Sequence, residues 1–409
     1  MQEQELLPHL FRTEYRKIIA VLVKVFGIEY IEIAEDIVSD TFLQAAETWG
    51  LKGTPTNPTA WLYAVSKNKA LDFLRRQKLF ADKISVDLKQ TETIISEDEI
   101  DLSNKNMNDS QLQMMFTICQ PCISIESQIG LSLSILCGFG VDEIADAFLT
   151  SKETIYKRLN RAKEKLRSEK IKIEIPAKSE INIRLDTVLA TLYLLFSEGY
   201  YSTSQKITLR KELCVEAMRL NLMLIENTET NSPEANALLS LMCFHASRFE
   251  ARTNSQGEII LYEDQDEKLW NHELITRGEL YLNKASKGTR LSKYHLEAAI
   301  AYWHTQKADV KQKWENILQL YNRLLQLEYS PIAALNRTYA LSKANSKEEA
   351  IVEAEKLKLI DNHLYHSLLG HLYTSINNQK AVAHYKKAMD LCKNTGEKLI
   401  IANNIKRIL

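Results

Sequence analysis

Residues that interrupt helices are scarce in this chain, which has only 12 glycines and 7 prolines among its 409 residues. In a helix interior glycine costs about 1 kcal/mol and proline about 3 kcal/mol relative to alanine, so their scarcity permits long helices. Leucine, alanine, glutamate and lysine, which favour helix, are plentiful. The sequence therefore predicts an all-α protein of long helices joined by short loops.

The length of the chain indicates two to four domains, and its formal net charge is only −1. Six scattered cysteines do not form a disulfide scaffold and are typical of a reducing cytosol. The N-terminal residues lack a signal peptide, and the densest apolar stretch, at 188–196, is too short to span a bilayer. We expect a cytoplasmic protein without a membrane segment.

Residues 1–80 show the pattern of three or four amphipathic helices. Asn57 and Pro58 indicate the start of a helix over 59–78, because proline is favoured in the first turn. One face of this helix is apolar and includes Trp61. The other face is basic, with Lys67, Lys69, Arg75, Arg76 and Lys78. Residues 81–110 then carry eight acidic residues against three lysines and lose the periodicity, so we predict an acidic linker.

Residues 111–175 contain the most specific local pattern. A short helix at 141–148 is followed by a turn in which Ser151 can cap the next helix. In that next helix Ile155, Leu159, Ala162 and Leu166 share one face. Two helices joined by so short a turn predict a helix-turn-helix.

Local charge supports a nucleic-acid contact at this point. Residues 151–172 carry nine lysines or arginines against three glutamates. The face opposite the apolar stripe presents Lys157, Asn160 and Arg161, with Tyr156, Arg158 and Lys163 beside it. Long donors on one helix face are typical of a helix that contacts base edges and phosphates. A basic helix that only solvates the edge of a bundle is the alternative.

Residues 180–409 are predicted to form helical hairpins of a degenerate tetratricopeptide type. In one unit Leu369, Gly370 and Tyr373 precede Ala381 and Tyr385, a pattern in which small residues let helices approach and aromatic rings fill the groove. Repeats of this kind form concave surfaces that bind peptides or proteins. A peptide or protein ligand is therefore a possible partner of this region.

The first 175 residues resemble the extracytoplasmic-function class of sigma-70-type RNA polymerase sigma factors. The resemblance is carried by AEDIVSDTF at 34–42, the helix at 61–76, EIADAF at 143–148 and TIYKRLNRAK at 154–163. YLLFSEGY at 193–200 and residues 245–270 are similar to members that have a C-terminal tetratricopeptide-like extension. The resemblance implies sigma domain 2 at 1–80, the linker at 81–110, sigma domain 4 at 111–175 and a regulatory domain at 180–409.

The resemblance also implies partners and contact residues. The partners are promoter DNA and core RNA polymerase, bound through its β′ clamp helices and β flap. The polymerase contacts are Asp36, Ser39, Asp40 and Leu43. The −10 contacts are Lys52, Thr54, Thr56, Asn57, Trp61, Lys67, Asn68, Arg75 and Arg76. The −35 contacts are Tyr156, Lys157, Arg158, Asn160, Arg161 and Lys163.

No catalytic constellation, phosphate-binding glycine loop or dinucleotide fingerprint is apparent, so we expect no enzymatic activity and no cofactor. The pair Cys119 and Cys122 has no second ligand pair, and buried thiols are favoured over a metal site. The nine histidines are dispersed and predict no metal site. Two other functional classes stay open: an operator-binding regulator with a peptide-sensing repeat domain, and a scaffold without DNA affinity.

Overall fold

The computed structural model describes residues 3–84, 100–148, 150–201, 207–252, 254, 260–392 and 395–409. Within these ranges the chain is helical and contains no β-strand, which confirms the predicted all-α class. None of the described helices has the length and apolar character needed to cross a membrane. Two compact units divide the chain, residues 1–199 and residues 200–409.

The N-terminal unit begins with three long helices, α1 (Glu3–Phe26), α2 (Ile31–Lys52) and α3 (Pro58–Ile84). Gly27 and Gly53 follow α1 and α2 with φ of 95° and 80°, a left-handed backbone that favours glycine. The helix α3 starts at the predicted place, and the side chain of Asn57 caps it by accepting a hydrogen bond of 3.0 Å from the Ala60 amide. The core of this bundle includes Ile18, Leu22 and Leu62, all fully buried.

Five further helices complete the unit: α4 (Asn104–Ile118), α5 (Ile125–Leu131), α6 (Val141–Ala147), α7 (Lys152–Ser168) and α8 (Ile181–Tyr201). A π-helical turn, Ser132–Leu136, extends α5. The central part of the predicted acidic linker, 85–99, lies outside the described residues. The linker is shorter than predicted, because α3 continues to Ile84 and α4 already begins at Asn104, where Met107 is buried.

The C-terminal unit contains ten helices among its described residues. They are α9 (Ile207–Glu226), α10 (Pro233–Ala246), α11 (His272–Ala285), α12 (Lys293–Trp303), α13 (Lys311–Leu327), α14 (Pro331–Ala344), α15 (Lys347–Leu357), α16 (His363–Tyr373), α17 (Asn378–Leu391) and α18 (Thr395–Ile408). The unit boundary falls near residue 200 rather than 180. Hydrogen bonds join α8 to the N-terminal unit, including the buried one of 2.7 Å that Thr191 Oγ1 donates to Gln128 Oε1.

Helices that follow one another pack side by side in this unit, including α10 with α11, α13 with α14 and α16 with α17. The approach of α16 to α17 depends on Gly370. A Cβ atom at this position would lie 2.8 Å from the ring of Tyr385. The expected packing of glycine against an aromatic ring is therefore present in this helix pair.

Candidate nucleic-acid interface

The helix pair α6 and α7 forms as the local sequence predicts. The Ser151 hydroxyl caps α7 by accepting a hydrogen bond from the Thr154 amide at 3.3 Å. In α6 the Glu143 carboxylate accepts a bond of 2.9 Å from the Gly140 amide, which stabilises the first turn. The predicted apolar stripe of α7 is buried: Ile155, Leu159, Ala162 and Leu166 are each 4% exposed or less.

The opposite side of α7 is open to solvent. Tyr156, Lys157, Asn160 and Arg161 are all exposed there and form what we call the α7 face. Arg158 lies beside it, with its guanidinium 5.7 Å from the centre of the Phe148 ring. The α7 face combines two cations, an amide and a phenol, which can contact phosphates and base edges without rearrangement of the helix.

Lys163 differs from the other predicted −35 contacts because it is buried. Its ammonium group lies between the two carboxylate oxygens of Glu35, at 2.6 and 2.5 Å. Only 8% of the Lys163 side chain and 20% of the Glu35 side chain are exposed. Lys163 therefore does not belong to the exposed α7 face, because its side chain points toward Glu35 of α2. Burial raises the pKa of Glu35 above its ordinary value, although the charge and hydrogen bonds of Lys163 oppose this shift.

Two further ion pairs join the same parts of the chain. Arg167 of α7 contacts Glu32 of α2 at 2.5 Å, and Arg12 of α1 contacts Glu143 of α6 at 2.8 Å. These pairs are partly exposed and each contributes up to about 1 kcal/mol. Together with the Lys163–Glu35 pair they hold α6 and α7 against α1 and α2.

The predicted polymerase contacts occupy one side of α2. Asp36, Ser39, Asp40 and Leu43 are exposed at spacings of three and four residues, and we call them the α2 stripe. Leu43 is 60% exposed although it is apolar, so the stripe combines acidic groups with an unburied apolar side chain. Phe42, which also belongs to the motif, is instead a core residue that packs on Phe11 at 5.1 Å.

The predicted −10 contacts lie in the loop after α2 and on α3. Lys52, Thr56 and Asn57 are exposed, and Thr54 is half-buried. Trp61 is half-buried and packs edge to face on Trp49, with ring centres 5.5 Å apart. Trp49 is 9% exposed, so it is a core residue rather than a free stacking platform. Asn57 has a structural role as the cap of α3 besides any contact with DNA.

Farther along α3, Asn68, Arg75 and Arg76 are exposed and Lys67 is half-buried. Arg75 approaches Asp72 at 3.7 Å on the helix surface. Lys67 lines a cavity of about 400 Å³ together with Tyr63, Ala64 and residues 100–103. The chain therefore returns from the linker to the same surface of α3 that carries Lys67.

The paired cysteines, Cys119 and Cys122, differ in their exposure to solvent. Cys119 is buried, as the sequence interpretation favours, and burial raises the pKa of its thiol to about 11. Cys122 is exposed rather than buried, contrary to the sequence interpretation.

Sequence analysis missed Arg12, Glu32, Glu35 and Arg167, which join the two halves of the N-terminal unit. No local signal identifies them, since each ion pair spans more than 120 residues of chain.

Comparisons with known proteins agree with this organisation. Residues 10–80 match the family Sigma-70 region 2, and residues 184–286 match a family of unknown function, DUF6596. The chain is 32% identical over 375 residues to "Uncharacterized protein R00370" of Rhizobium meliloti strain 1021, which covers 90% of this chain and 88% of that protein. No solved structure matches the chain.

The match of residues 10–80 to Sigma-70 region 2 indicates a role like that of an RNA polymerase sigma factor, which acts in transcription initiation. The chain belongs to the sigma-70-type factors, in one family with the Rhizobium meliloti protein. Sigma-70 region 2 implies interaction with core RNA polymerase and promoter DNA.

Proposed function

We propose that this chain is a sigma factor of the extracytoplasmic-function class, which recognises −10 and −35 elements and is regulated by its own C-terminal helical domain. The α7 face carries the proposal, because four exposed donors stand on the helix that follows a capped three- to four-residue turn. In this proposal α6 and α7 form the helix-turn-helix of sigma domain 4. The α2 stripe binds the β′ clamp helices, and the exposed groups of α3 contact the −10 element.

The ion pairs between α2 and α7 describe a closed state of this factor. At about 3.4 Å per base pair, the roughly 25 base pairs between the two promoter elements span about 85 Å. The 17 residues of α7 extend only ~25 Å, and the helix lies against α2. The ion pairs of Glu35 and Glu32 hold α7 beside α2 within one compact unit, and we infer that they break before the α7 face and the α3 surface bind both elements at once.

Opening has an energetic cost that makes it suitable for regulation. Opening loses the direct attraction and hydrogen bonds of a largely buried ion pair, and the hydration that both charges regain offsets part of this loss. Core polymerase that binds the α2 stripe, adjacent in sequence to Glu35, is placed to favour the open state. The C-terminal tetratricopeptide-like unit either holds the closed state or assists binding to polymerase.

Run-off transcription with purified core polymerase tests the proposed function, with a promoter taken from upstream of this protein's own gene. We expect specific initiation that depends on the protein and falls about 10-fold in Lys157→Ala and in Arg161→Ala, corresponding to about 1–2 kcal/mol each. Lys165→Ala is the matched control: Lys165 also lies on α7 but pairs with Glu169 at 2.6 Å, and this change should preserve initiation.

A chain that ends at Tyr201 tests the role of the C-terminal unit. This end point retains α8, whose Thr191 binds Gln128 within the N-terminal unit. Higher initiation from the shortened chain indicates inhibition by residues 202–409, and lower initiation indicates assistance. Absence of binding to core polymerase by both chains, with binding to operator DNA retained, would instead identify an operator-binding regulator.

A further inference from the structure

Three side chains of metal-ligating types meet near the C-terminal end of the chain. His363 Nε2 lies 2.9 Å from a carboxylate oxygen of Glu397, and Cys392 Sγ lies 3.4 Å from the same oxygen. All three potential ligand atoms lie within 4.8 Å of one another. The site is separate from the α7 face and the α2 stripe, and the sigma function does not use it.

Each of the three side chains lies at the end of a different helix, so the helix ends determine the positions of the three Cα atoms. The side chain of Asn362 caps α16 and places His363 in its first turn. Cys392 directly follows α17 and donates its amide to Ala388 at 2.9 Å. Glu397 lies in the first turn of α18. The three groups therefore lie at the ends of three consecutive helices.

The distances fit one metal ion. In a tetrahedral zinc site, bonds of about 2.0–2.3 Å place ligand atoms ~3.3–3.7 Å apart. The sulfur–oxygen distance already lies in this range, and the nitrogen–oxygen distance of 2.9 Å needs to widen by only a few tenths of an ångström. The third pair, His363 Nε2 and Cys392 Sγ, lies within 4.8 Å and has to approach by up to about 1 Å, which requires side-chain rotation on metal binding.

We propose that His363, Cys392 and Glu397 bind a zinc ion. A thiolate and an imidazole select a borderline-soft ion such as Zn²⁺ over the hard ions Ca²⁺ and Mg²⁺, which prefer oxygen ligands only. Binding forms bonds to Sγ, Nε2 and one carboxylate oxygen, and the thiol proton passes to solvent. The side chains of His363 and Glu397 are 31% and 35% exposed, so water can occupy the fourth position.

The ion has a structural role at this place. The terminal helix α18 packs through a small cluster that comprises Tyr385, Ala388, Cys392, Ile401 and Ile405. A metal bound to α18, to the end of α17 and to the start of α16 cross-links three helices, and its binding free energy adds to the stability of this end of the unit.

Without a metal the same atoms form a hydrogen-bonded group in which His363 Nε2 contacts Glu397 and the thiol of Cys392 is a weak donor to the same carboxylate. The two arrangements differ in chemistry that can be measured. In the metal-free arrangement Cys392 keeps its thiol proton, and added zinc does not bind. The metal site requires the thiolate, binds one ion per chain and depends on all three side chains.

Cobalt titration of the full-length chain tests the proposal, after treatment with a chelator and dialysis. We expect one Co²⁺ per chain with a thiolate-to-cobalt charge-transfer band, displaced by one equivalent of Zn²⁺, and a higher melting temperature with zinc. Cys392→Ser and His363→Ala should remove the band and weaken zinc binding at least ~100-fold. Even residues that only hydrogen-bond to a metal ligand change metal affinity by about 10–100-fold. Cys122→Ser is the matched control, because this exposed cysteine is the alternative accessible thiol.

Glu397→Gln provides a variant that keeps the size of the side chain, so the test does not depend on whether Cys392→Ser folds. It should retain the helical circular dichroism signal and lose most of the zinc affinity. A missing charge-transfer band in the full-length chain would overturn the proposal. A band that disappears in Cys122→Ser and persists in Cys392→Ser would also overturn it. Neither result bears on the sigma function, which transcription tests independently.

Discussion

The ammonium group of Lys163 lies 2.6 Å from Glu35 Oε1 and joins α7 to α2 across 128 residues of chain. Glu35 directly precedes Asp36 of the α2 stripe, and Lys163 follows Arg161 of the α7 face by two residues. One largely buried ion pair thus connects the helix proposed to bind polymerase with the helix proposed to bind DNA. The pair is the main electrostatic contact of the closed state.

Removal of one partner of this pair should destabilise the N-terminal unit strongly. We expect Lys163→Ala to lower the free energy of unfolding by about 3 kcal/mol, because Glu35 is then left buried without a partner. Urea unfolding of Lys163→Ala, Glu35→Ala and the double variant measures the coupling. The double variant should lose about 2 kcal/mol less than the sum of the single changes. Strict additivity would show that the two side chains do not interact in solution.

Weakening the closed state should increase promoter binding if the pair restrains the factor. Glu35→Gln removes the charge and leaves all residues of the α7 face unchanged. We expect several-fold more run-off transcript from this variant at subsaturating protein, since a shift of 1–2 kcal/mol changes a conformational equilibrium about 5- to 30-fold. An unchanged or reduced yield, with normal polymerase binding, would contradict a restraining role.

The α2 stripe should determine affinity for core polymerase. We expect Asp40→Ala and Leu43→Ala each to weaken binding by about 1–2 kcal/mol, because both side chains are exposed and make no contribution to the core. Binding to immobilised core polymerase measures the effect. Gln44→Ala is the control, since Gln44 is also exposed on α2 but lies outside the stripe. Equal binding by all three variants would exclude this surface.

The packing of α16 on α17 should be sensitive to one methyl group. Gly370→Ala places a Cβ atom 2.8 Å from the Tyr385 ring, and relief of this overlap should cost about 1–3 kcal/mol of stability. Gly50→Ala is the matched control, because Gly50 lies in α2 with no atom within 4 Å of the added methyl group. That change should be neutral or stabilise by up to ~1 kcal/mol. Thermal unfolding distinguishes the two, and equal melting temperatures would contradict the packing.

The C-terminal unit should lose stability in acid because it holds a partly buried histidine in its neutral form. Burial, together with the charges of Arg248 and Lys313, lowers the pKa of His304 from 6.5 to about 3. The unfolded chain therefore takes up a proton below about pH 6.5 that the folded chain does not. This stability is fully present above about pH 6.5 and falls as pH decreases toward 3, by about 2 kcal/mol at pH 5.

Fluorescence of Trp314, which packs on His304 at 5.9 Å between ring centres, reports unfolding of this region. His304→Gln should lose about 2 kcal/mol less of its free energy of unfolding at pH 5 than the unchanged protein, because glutamine does not titrate in this range. An identical loss of stability between pH 7 and 5 in both proteins would assign the effect to other groups.

The amino-acid sequence alone determined the helices, their caps and the direction in which most side chains point. The start of α3 after Asn57 and the Ser151 cap of α7 are as predicted, and the buried stripe of α7 includes Leu159 at its predicted place. These features depend on residues three or four positions apart, so the helical period is sufficient to predict them. The exposed α7 face follows from the same periodicity, whereas the residues of the α2 stripe were predicted from the family resemblance.

Only the tertiary structure decided which distant groups meet. Lys163 belongs by composition to a basic helix, yet the packing of α7 on α2 buries it against Glu35. His363 and Glu397 are separated by 34 residues and meet at 2.9 Å because α16, α17 and α18 converge. Contacts of this kind depend on how completed helices pack and on the burial that results. Neither the period of a helix nor the local charge balance contains that information.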